Sequence, residues 1–370
     1  MHRNRGSVMD GRVLQTCVPD YRVEFFELLC QNGVCCKVYS GDSYYDSSIR
    51  TASEVGSWHV LVSNRFLFKR CLLWQYLPYG LYIDRYAVIA ELNPRSISTW
   101  LLVLCRAILR RPMILWGHAW ARAGRWSMSR EIRLLLWRLC DAKIVYTCQQ
   151  VGELREILRG PIFPARNALY SETMVKRREI KDRSHFIYVG RLVSEKKPQL
   201  LLRGFALLIK ENSALHLDFV GGGPERMKLE QLSKEMGIYE RVSFHGQIAD
   251  IKRLEYLYDN AIAAVSPGYV GLSATQAFFF GVPMLIAKDE PHSPEIEACR
   301  DEFNTIFFQG DEKSLAQCLR NAWHRRMEWA LMSDKIQDDV VMKYSIEKMV
   351  ESFSESIRCS TVDREIDLCV

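Results

Sequence analysis

Short apolar runs alternate with amphipathic stretches along the chain, and this alternation constrains the fold more than any other feature. It is typical of β-α-β units, in which helices connect the strands of a parallel sheet. In the first half the predicted strands are Val13–Thr16, Cys36–Ser40, His59–Val62, Ala87–Ala90, Met113–Trp116 and Lys143–Thr147. The predicted helices between them are Val23–Leu29, Ser96–Leu109 and Met128–Leu139. The pattern predicts an α/β protein.

A second series of the same kind follows a polar, basic segment, Tyr170–Ser184. Its predicted strands are Phe186–Val189, Leu215–Val220, Val242–Phe244, Ile262–Val265 and Met284–Ile286. Its predicted helices are Pro198–Lys210, Glu225–Met236, Ile251–Asp259 and Ala274–Phe280. A chain of 370 residues is too long for one ordinary core. We therefore expect a Rossmann-like domain at 1–168, a linker at 169–184, a second Rossmann-like domain at 185–344, and a helical tail at 345–370 that packs back on the first domain.

Charge and cysteine usage narrow the class of protein. The formal charge is +12 for residues 1–185 and −6 for the remainder, so the two halves have different partners. The twelve cysteines are scattered and show no CxxC or Cys/His metal spacing, which favours reduced thiols and a cytoplasmic protein. No uncharged run reaches the roughly 18 residues that span a bilayer. No motif for nucleic acid, metal or a resident cofactor accompanies these features.

Glycines follow one predicted strand of the second half directly. Leu217–Arg226 reads LDFVGGGPER, a strand, three glycines that include Gly222 and Gly223, and Pro224 at the expected first position of a helix. Glycine lets a ligand approach the backbone, and a helix N-terminus offers amides to an anion. A plain strand-to-helix turn explains the same residues. The segment is not a dinucleotide fingerprint, because Arg226 stands where the last glycine of GxGxxG belongs.

Two further turns have the chemistry of phosphate binding. His185–Lys197 ends a strand with Gly190, followed by Arg191 and Lys196, which could clamp a diphosphate or be solvated loop charges. In Ser266–Leu285 a strand is followed by a helix that Ser273 could cap, with amides near Leu272, Ser273 and Ala274 at the strand edge. Three such turns on one sheet predict a nucleotide diphosphate as ligand.

The second half resembles the donor domain of glycosyltransferase family 4, a group of retaining, nucleotide-sugar-dependent enzymes. The resemblance is carried, in family order, by Tyr188–Lys196, Phe219–Pro224, Arg241–Gly246 and Pro267–Pro283. It implies the GT-B fold, with two Rossmann-like domains facing across a cleft. It also implies donor binding, in which we place Gly190, Gly222, Gly223, Gly271, Leu272, Ser273 and Gln276.

The first half resembles the acceptor domain of that family more loosely, through Cys17–Phe26, Met113–Trp120 and Pro164–Leu169. The resemblance implies that His118, just beyond a predicted strand, contacts the donor sugar or the reacting hydroxyl. An ordinary structural histidine is the alternative. We expect Arg191 and Lys196, with the turn amides, to stabilise the leaving diphosphate without a metal.

The chain departs from the family at two positions. The family carries two glutamates separated by seven residues, and the alignment puts Gly268 and Gln276 there. Gln276 could still bind the ribose hydroxyls through its amide, whereas Gly268 offers only backbone.

Basic and aromatic residues mark the acceptor half. Between Arg106 and Arg138 lie eight arginines and one acidic residue, interleaved with tryptophans. Such a composition suits an anionic membrane surface, although an ordinary core helix with a solvated face would look similar. The residues expected at the acceptor or the membrane are Arg22, Trp116, Trp120, Arg122 and Arg125.

The combined hypothesis is a peripheral membrane enzyme at the inner face of the cell membrane. It would transfer a hexose with retention from a nucleotide sugar to a polyprenyl-diphosphate-linked saccharide, in surface polysaccharide biosynthesis. Two alternatives stay open. One is a GT-B-type nucleotide-sugar epimerase, and the other is a non-catalytic nucleotide-sugar-binding subunit, which the two missing glutamates would suit.

Overall fold

The computed structural model describes residues 11–47, 49–121 and 124–366. Its contacts divide the chain into two compact units. The first unit is Met1–Ala168 together with Ile346–Val370, and the second is Leu169–Ser345.

The first unit is built on a parallel sheet of seven strands in the order β3-β2-β1-β6-β7-β8-β9, beside an antiparallel hairpin of β4 and β5. Its strands are β1 Gly11–Gln15, β2 Cys35–Ser40, β3 His59–Leu61, β4 Asn64–Leu67, β5 Leu72–Gln75, β6 Ala87–Glu91, β7 Met113–Trp116, β8 Ala142–Val145 and β9 Ile162–Pro164. Its helices up to residue 168 are α1 Val23–Gln31, α2 Gly80–Ile83, α3 Ile97–Ile108, α4 Arg130–Arg138 and α5 Cys148–Arg155.

The second unit has a parallel sheet of six strands in the order β12-β11-β10-β13-β14-β15. Its strands are β10 His185–Val189, β11 His216–Val220, β12 Val242–Gly246, β13 Ala261–Ser266, β14 Met284–Ala287 and β15 Thr305–Phe308. Its helices are α6 Pro198–Ile209, α7 Arg226–Glu235, α8 Ile251–Asn260, α9 Ser273–Phe279, α10 Glu312–His324 and α11 Arg326–Tyr344.

The last helix, α12 (Ile346–Ile366), packs on the first unit. Its Phe353 ring lies 5.0 Å from the ring of Phe25 in α1 and 4.9 Å from that of Trp116 in β7. The C-terminal segment therefore completes the core of the N-terminal sheet.

Uniform burial explains why the central strands are continuous apolar runs. All four residues of β7 and all six of β13 are buried, because helices cover both faces of each sheet. The α/β prediction is confirmed, and β7 has the predicted bounds. The hairpin, β9, β15, α2, α5, α10 and α11 were not predicted.

The segment 169–184 was predicted as a linker, and the structure corrects this. It belongs to the second unit, where the Tyr170 ring lies 4.5 Å from the ring of Phe279. The Arg178 guanidinium binds the Asp259 carboxylate and Arg183 is buried, although both lie in a segment with a polar sequence. The basic residues that suggested an exposed linker pack against the second unit or bind its polar groups instead.

Candidate functional site

The strand order fixes where each unit can bind a ligand. An open parallel sheet binds ligands at the carboxyl ends of its strands, where the strand order reverses. In the first unit this point lies between β1 and β6, and in the second between β10 and β13. The segments that follow β1, β7, β10, β11 and β13 hold nearly all of the residues predicted to be functional.

Glycines allow two loops of the second unit to lie directly against each other. The Gly190 amide donates to the Val220 carbonyl at 2.9 Å, and the Leu192 amide to the Gly222 carbonyl at 2.8 Å. A Cβ on Gly221, whose φ is +133°, would stand 1.9 Å from the Gly190 carbonyl oxygen. The loops after β10 and β11 therefore form one hydrogen-bonded platform.

The platform leaves one glycine open and one cation unpaired. No atom of a described residue lies within 4 Å of a Cβ built on Gly222, so this backbone can accept a close ligand. Gly223 does not have this freedom, because its φ is +151° and its Cβ would stand 2.3 Å from the Leu192 carbonyl oxygen. The Arg191 side chain is exposed and forms no ion pair with any described residue. Gly222 and Arg191 can meet a phosphate.

The second predicted cation, Lys196, is held by a neighbouring loop. Its Nζ donates to the Tyr269 carbonyl at 2.7 Å and lies 3.5 Å from the centre of the Tyr269 ring. These contacts place the ammonium group beside the loop after β13, in the region predicted for the diphosphate. The adjacent Lys197 binds Glu290 instead.

Gly268, which replaces the first family glutamate, lies where two loops come closest. A Cβ at this position would stand 2.7 Å from the Glu195 carbonyl oxygen and 2.8 Å from both Cα and the carbonyl carbon of Lys196. Because these are backbone atoms, they cannot rotate away. The loop that carries Lys196 occupies the space that a glutamate side chain would need.

Two helix starts differ from the prediction. Helix α7 begins at Arg226, so Pro224 precedes the helix instead of opening it. Helix α9 begins at Ser273 with Leu272 at the N-cap and no side-chain cap, so the expected Ser273 cap is wrong. Gly271, Leu272 and Ser273 do lie at this helix start, where the first amides of a helix have no intrahelical acceptor.

Gln276, in place of the second family glutamate, contacts two tyrosines. Its Nε2 donates to the Tyr170 hydroxyl at 2.7 Å, and its Oε1 accepts from the Tyr258 hydroxyl at 3.3 Å. A ribose would compete with these two phenols for the same amide. Its donor-binding role stays a prediction.

The first unit contains a cavity of about 580 Å³ at the carboxyl ends of β1, β6, β7 and β8. The Glu91 carboxylate, at the end of β6, accepts the Thr16 amide at 3.0 Å and the Tyr44 hydroxyl at 3.1 Å. Burial, with the charge of Glu91 adding to it, raises the pKa of the Cys17 thiol to about 12. The thiol therefore stays protonated and is a poor nucleophile.

His118 lines the same cavity, and its ring is open to it. The imidazole lies 4.5 Å from the ring of Tyr146. The surrounding protein, and then the Arg133 charge, lower the pKa of His118 to about 4. The imidazole is therefore neutral at neutral pH and can accept or donate a hydrogen bond to a hydroxyl group.

Most of the residues expected at the acceptor or the membrane are buried. Arg22, Trp116 and Trp120 are 5%, 2% and 9% exposed, so they do not form a membrane surface, and their expected role at the acceptor stays a prediction. Arg22 and Trp116 line the cavity instead. Arg125 binds Glu156 at 2.8 Å, and Arg122 lies outside the described residues.

A different set of side chains is exposed around α4. Trp126 is 81% exposed and Met128 fully so, with Ile132 and Leu135 each 48% exposed. The Arg130 guanidinium lies 5.3 Å from the centre of the Trp126 ring. Within the described ranges, no helix is both long and apolar enough to span a membrane.

Sequence reasoning missed several residues of these sites. Glu91 directly follows the predicted strand Ala87–Ala90, and that position was the available signal for it. Tyr44, Tyr146 and Tyr170 lie in segments without a recognisable motif, so only the folded chain shows their contacts. Among the residues that the structure describes, no group of three or more His, Cys, Asp or Glu side chains is arranged to hold a metal ion.

Comparison with known proteins gives matches for both sequence and fold. Residues 171–330 match the family described as "Glycosyl transferases group 1". Over 177 residues the chain is 28% identical to the GtfA subunit of a UDP-N-acetylglucosamine–peptide N-acetylglucosaminyltransferase from Streptococcus parasanguinis. That match covers 45% of this chain and 34% of the relative, so the chain spans about a third of the relative's length.

Two solved structures match along nearly their whole lengths. HepE of Anabaena, solved in complex with UDP, has a TM-score of 0.67 at 13% identity, covering 95% of this chain and 100% of HepE. The lipopolysaccharide outer core galactosyltransferase WaaB has a TM-score of 0.64 at 15% identity, covering 95% of this chain and 99% of WaaB. At these identities the similarity shows a shared fold.

Proposed function

Residues 171–330 match the glycosyl transferases group 1 family in a chain with the GT-B fold, and from this premise we propose that the protein is a glycosyltransferase. It transfers a sugar, with retention of the anomeric configuration, from a nucleotide-diphosphate sugar to a lipid-linked saccharide. The reaction serves the synthesis of a surface polysaccharide.

The observation that carries this proposal is the platform at the switch point of the second sheet. The open backbone at Gly222, the unpaired Arg191 and the tethered Lys196 all follow strands that end at the same edge. Fixed cations and amides can stabilise a leaving diphosphate as a metal would. Arg191 binds a phosphate through two parallel hydrogen bonds, and Lys196 supplies a nearby charge.

Retention needs an acceptor hydroxyl on the same face as the leaving group. We propose that His118, which is neutral at neutral pH, contacts the reacting hydroxyl or the donor sugar. The missing carboxylates weaken the hold on the donor more than they weaken stabilisation of the leaving group. The protein is therefore active with a reduced donor affinity.

The acceptor end of the proposal rests on the first unit and its exposed surface. Trp126 and Met128 present apolar groups beside Arg125 and Arg130. Interfacial aromatics next to cations suit anionic lipid, with each cation contributing about 1 kcal/mol. WaaB, a relative in fold, is itself named for a lipopolysaccharide. The protein would act at the inner face of the cell membrane.

The decisive experiment incubates the full chain with radiolabelled UDP-sugars and membranes of the source cell, and follows label into the lipid fraction. Arg191→Ala should reduce transfer at least tenfold through the lost charge-assisted hydrogen bonds. Arg253→Ala is the matched control, since Arg253 is also exposed and forms no ion pair with any described residue.

The outcomes separate the alternatives. Label in lipid that depends on Arg191 supports the proposal. Conversion of the nucleotide sugar without added membranes would indicate an epimerase. Calorimetric binding of UDP without turnover, unchanged by Gln276→Glu, would indicate a non-catalytic subunit.

A further inference from the structure

One side of the first unit's cavity contains a buried cation that has no carboxylate partner among the described residues. Arg22 is 5% exposed, yet its guanidinium contacts only neutral groups within the described residues. It donates to Asn167 Oδ1 and to Met349 Sδ, the latter at 3.1 Å, and lies 5.0 Å from the Trp116 ring. Burying a charge without a counter-charge is costly.

Two more guanidinium groups line this cavity. Arg133, in α4, donates through Nη1 to the His118 carbonyl at 3.2 Å, while its Nε is buried and hydrogen-bonded to no described atom. Burial, and then the charge of Arg95, lower the pKa of Arg133. The Arg95 guanidinium lies 3.9 Å from the centre of the Tyr45 ring and forms no ion pair with a described residue.

Among the described lining residues, the cavity supplies one negative charge against these three positive charges. Glu91 is the one acidic side chain among its described lining residues. Both oxygens of Glu91 are engaged, one by the Thr16 amide and the other by the Tyr44 hydroxyl. Like charges in a confined space repel each other. A bound anion would attract all three guanidinium groups and so offset this repulsion.

We propose that the acceptor carries an anionic group, and that Arg22, Arg95 and Arg133 bind this group in the cavity of the first unit. The inference rests on the proposed function and identifies the substrate class of its acceptor site. A cavity of about 580 Å³ has room for a sugar as well as a phosphate, since ligand pockets of about 300–1,000 Å³ are usual. The rings of Tyr21 and Tyr146, which also line it, provide surface for the sugar. The anionic group is a phosphate, as a diphosphate-linked acceptor has, or a carboxylate.

The test is calorimetric titration of the full chain without donor. The probes are glucose 1-phosphate, glucuronate and the uncharged methyl α-glucoside. Arg133→Gln and Arg95→Gln each remove one cation. Arg138→Gln is the matched control, because Arg138 lies in the same helix as Arg133 but is exposed outside the cavity. Thermal unfolding of each variant verifies the fold.

We expect the wild type to bind one of the charged probes and to bind methyl α-glucoside at least tenfold more weakly. Arg133→Gln and Arg95→Gln should each raise the Kd of that probe about tenfold, and Arg138→Gln should leave it unchanged. Tighter binding of glucose 1-phosphate than of glucuronate assigns a phosphate, and the reverse order assigns a carboxylate.

Equal binding of charged and uncharged sugars, or Kd values that do not change in either cavity variant, would overturn the inference. A parallel titration with UDP tests whether the cavity binds the phosphates of the donor nucleotide instead of an anionic group of the acceptor. If Arg133→Gln weakens UDP as much as glucose 1-phosphate, the cavity serves the donor and the inference is wrong. Failure of the proposed function has a different signature, since glucose 1-phosphate would still bind while no nucleotide sugar is turned over.

Discussion

Replacing Gly268 with alanine adds one methyl group where two loops of the second unit come closest. The new Cβ would stand 2.7 Å from the Glu195 carbonyl oxygen and 2.8 Å from two backbone atoms of Lys196. Ordinary contact begins at 3.4 Å, so the loop must retreat by about 0.7 Å. Such overpacking destabilises the folded protein by about 1–3 kcal/mol. Alanine also lowers the conformational entropy of the unfolded chain, which offsets about 0.4–1 kcal/mol of this loss. The net loss is about 1–2 kcal/mol.

For a domain of this size that loss lowers the thermal midpoint by about 2–8 °C. Circular dichroism melting measures this shift, with Gly222→Ala as the control, because its Cβ would meet no atom in the described part of the chain within 4 Å. Gly268→Glu, which restores the first family glutamate, should lower the midpoint further and recover no activity. If Gly268→Ala melts together with the wild type, the loop yields without cost and the steric reasoning is refuted.

Three further predictions concern titration and the exposed surface. The surrounding protein and the nearby Arg133 lower the pKa of His118 from 6.5 to about 4, so the unfolded chain binds this proton more readily than the folded chain does. The stability of the protein should therefore fall as pH drops through that interval. His118→Asn should flatten that part of a plot of the urea midpoint against pH, and an unaltered plot would contradict the assignment. Burial alone would raise the pKa of Asp218, but hydrogen bonds from two histidines at 2.7 and 2.8 Å outweigh it and lower the pKa below 3.8. Asp218→Asn should cost about 1–3 kcal/mol in urea unfolding at pH 7, with the difference from wild type shrinking as acid protonates the native carboxylate, whereas a constant difference would refute this origin. Trp126→Ala should weaken co-sedimentation with phosphatidylglycerol vesicles, while the control Tyr256→Ala, at a ring that is 67% exposed, should not. Equal losses would exclude a specific lipid surface.

The sequence predicts strands well where burial on both faces makes them continuously apolar, as in β7. It fails for α11, because that helix places polar groups on its buried face. The Ser333 hydroxyl donates to the Gly281 carbonyl at 2.7 Å, and the Gln337 amide donates to the Phe279 carbonyl at 2.6 Å. These side chains donate hydrogen bonds to carbonyls at the C-terminal end of α9. Polar residues therefore interrupt the apolar pattern that an amphipathic helix would show.

The sites show the same division between local and tertiary information. Gly190, Arg191 and Gly222 follow strands directly, so their place at the sheet edge could be predicted from the strand pattern. Whether a tryptophan such as Trp116 faces the core or the solvent depends on a helix more than 200 residues later, which covers it. Composition near a strand identifies a region rich in basic and aromatic residues, but it does not show whether their side chains face the core or the solvent.

The return of α12 to the first unit has a consequence for synthesis. The second unit is continuous in sequence, whereas the first lacks α12 until the whole second unit has been translated. At about 5–20 residues per second this delay is roughly 9–35 s, during which the apolar surface around Phe25 and Trp116 has no cover. The unit that begins the chain is therefore the last to complete its core, and a nascent chain stalled before α12 would depend on chaperones to stay soluble.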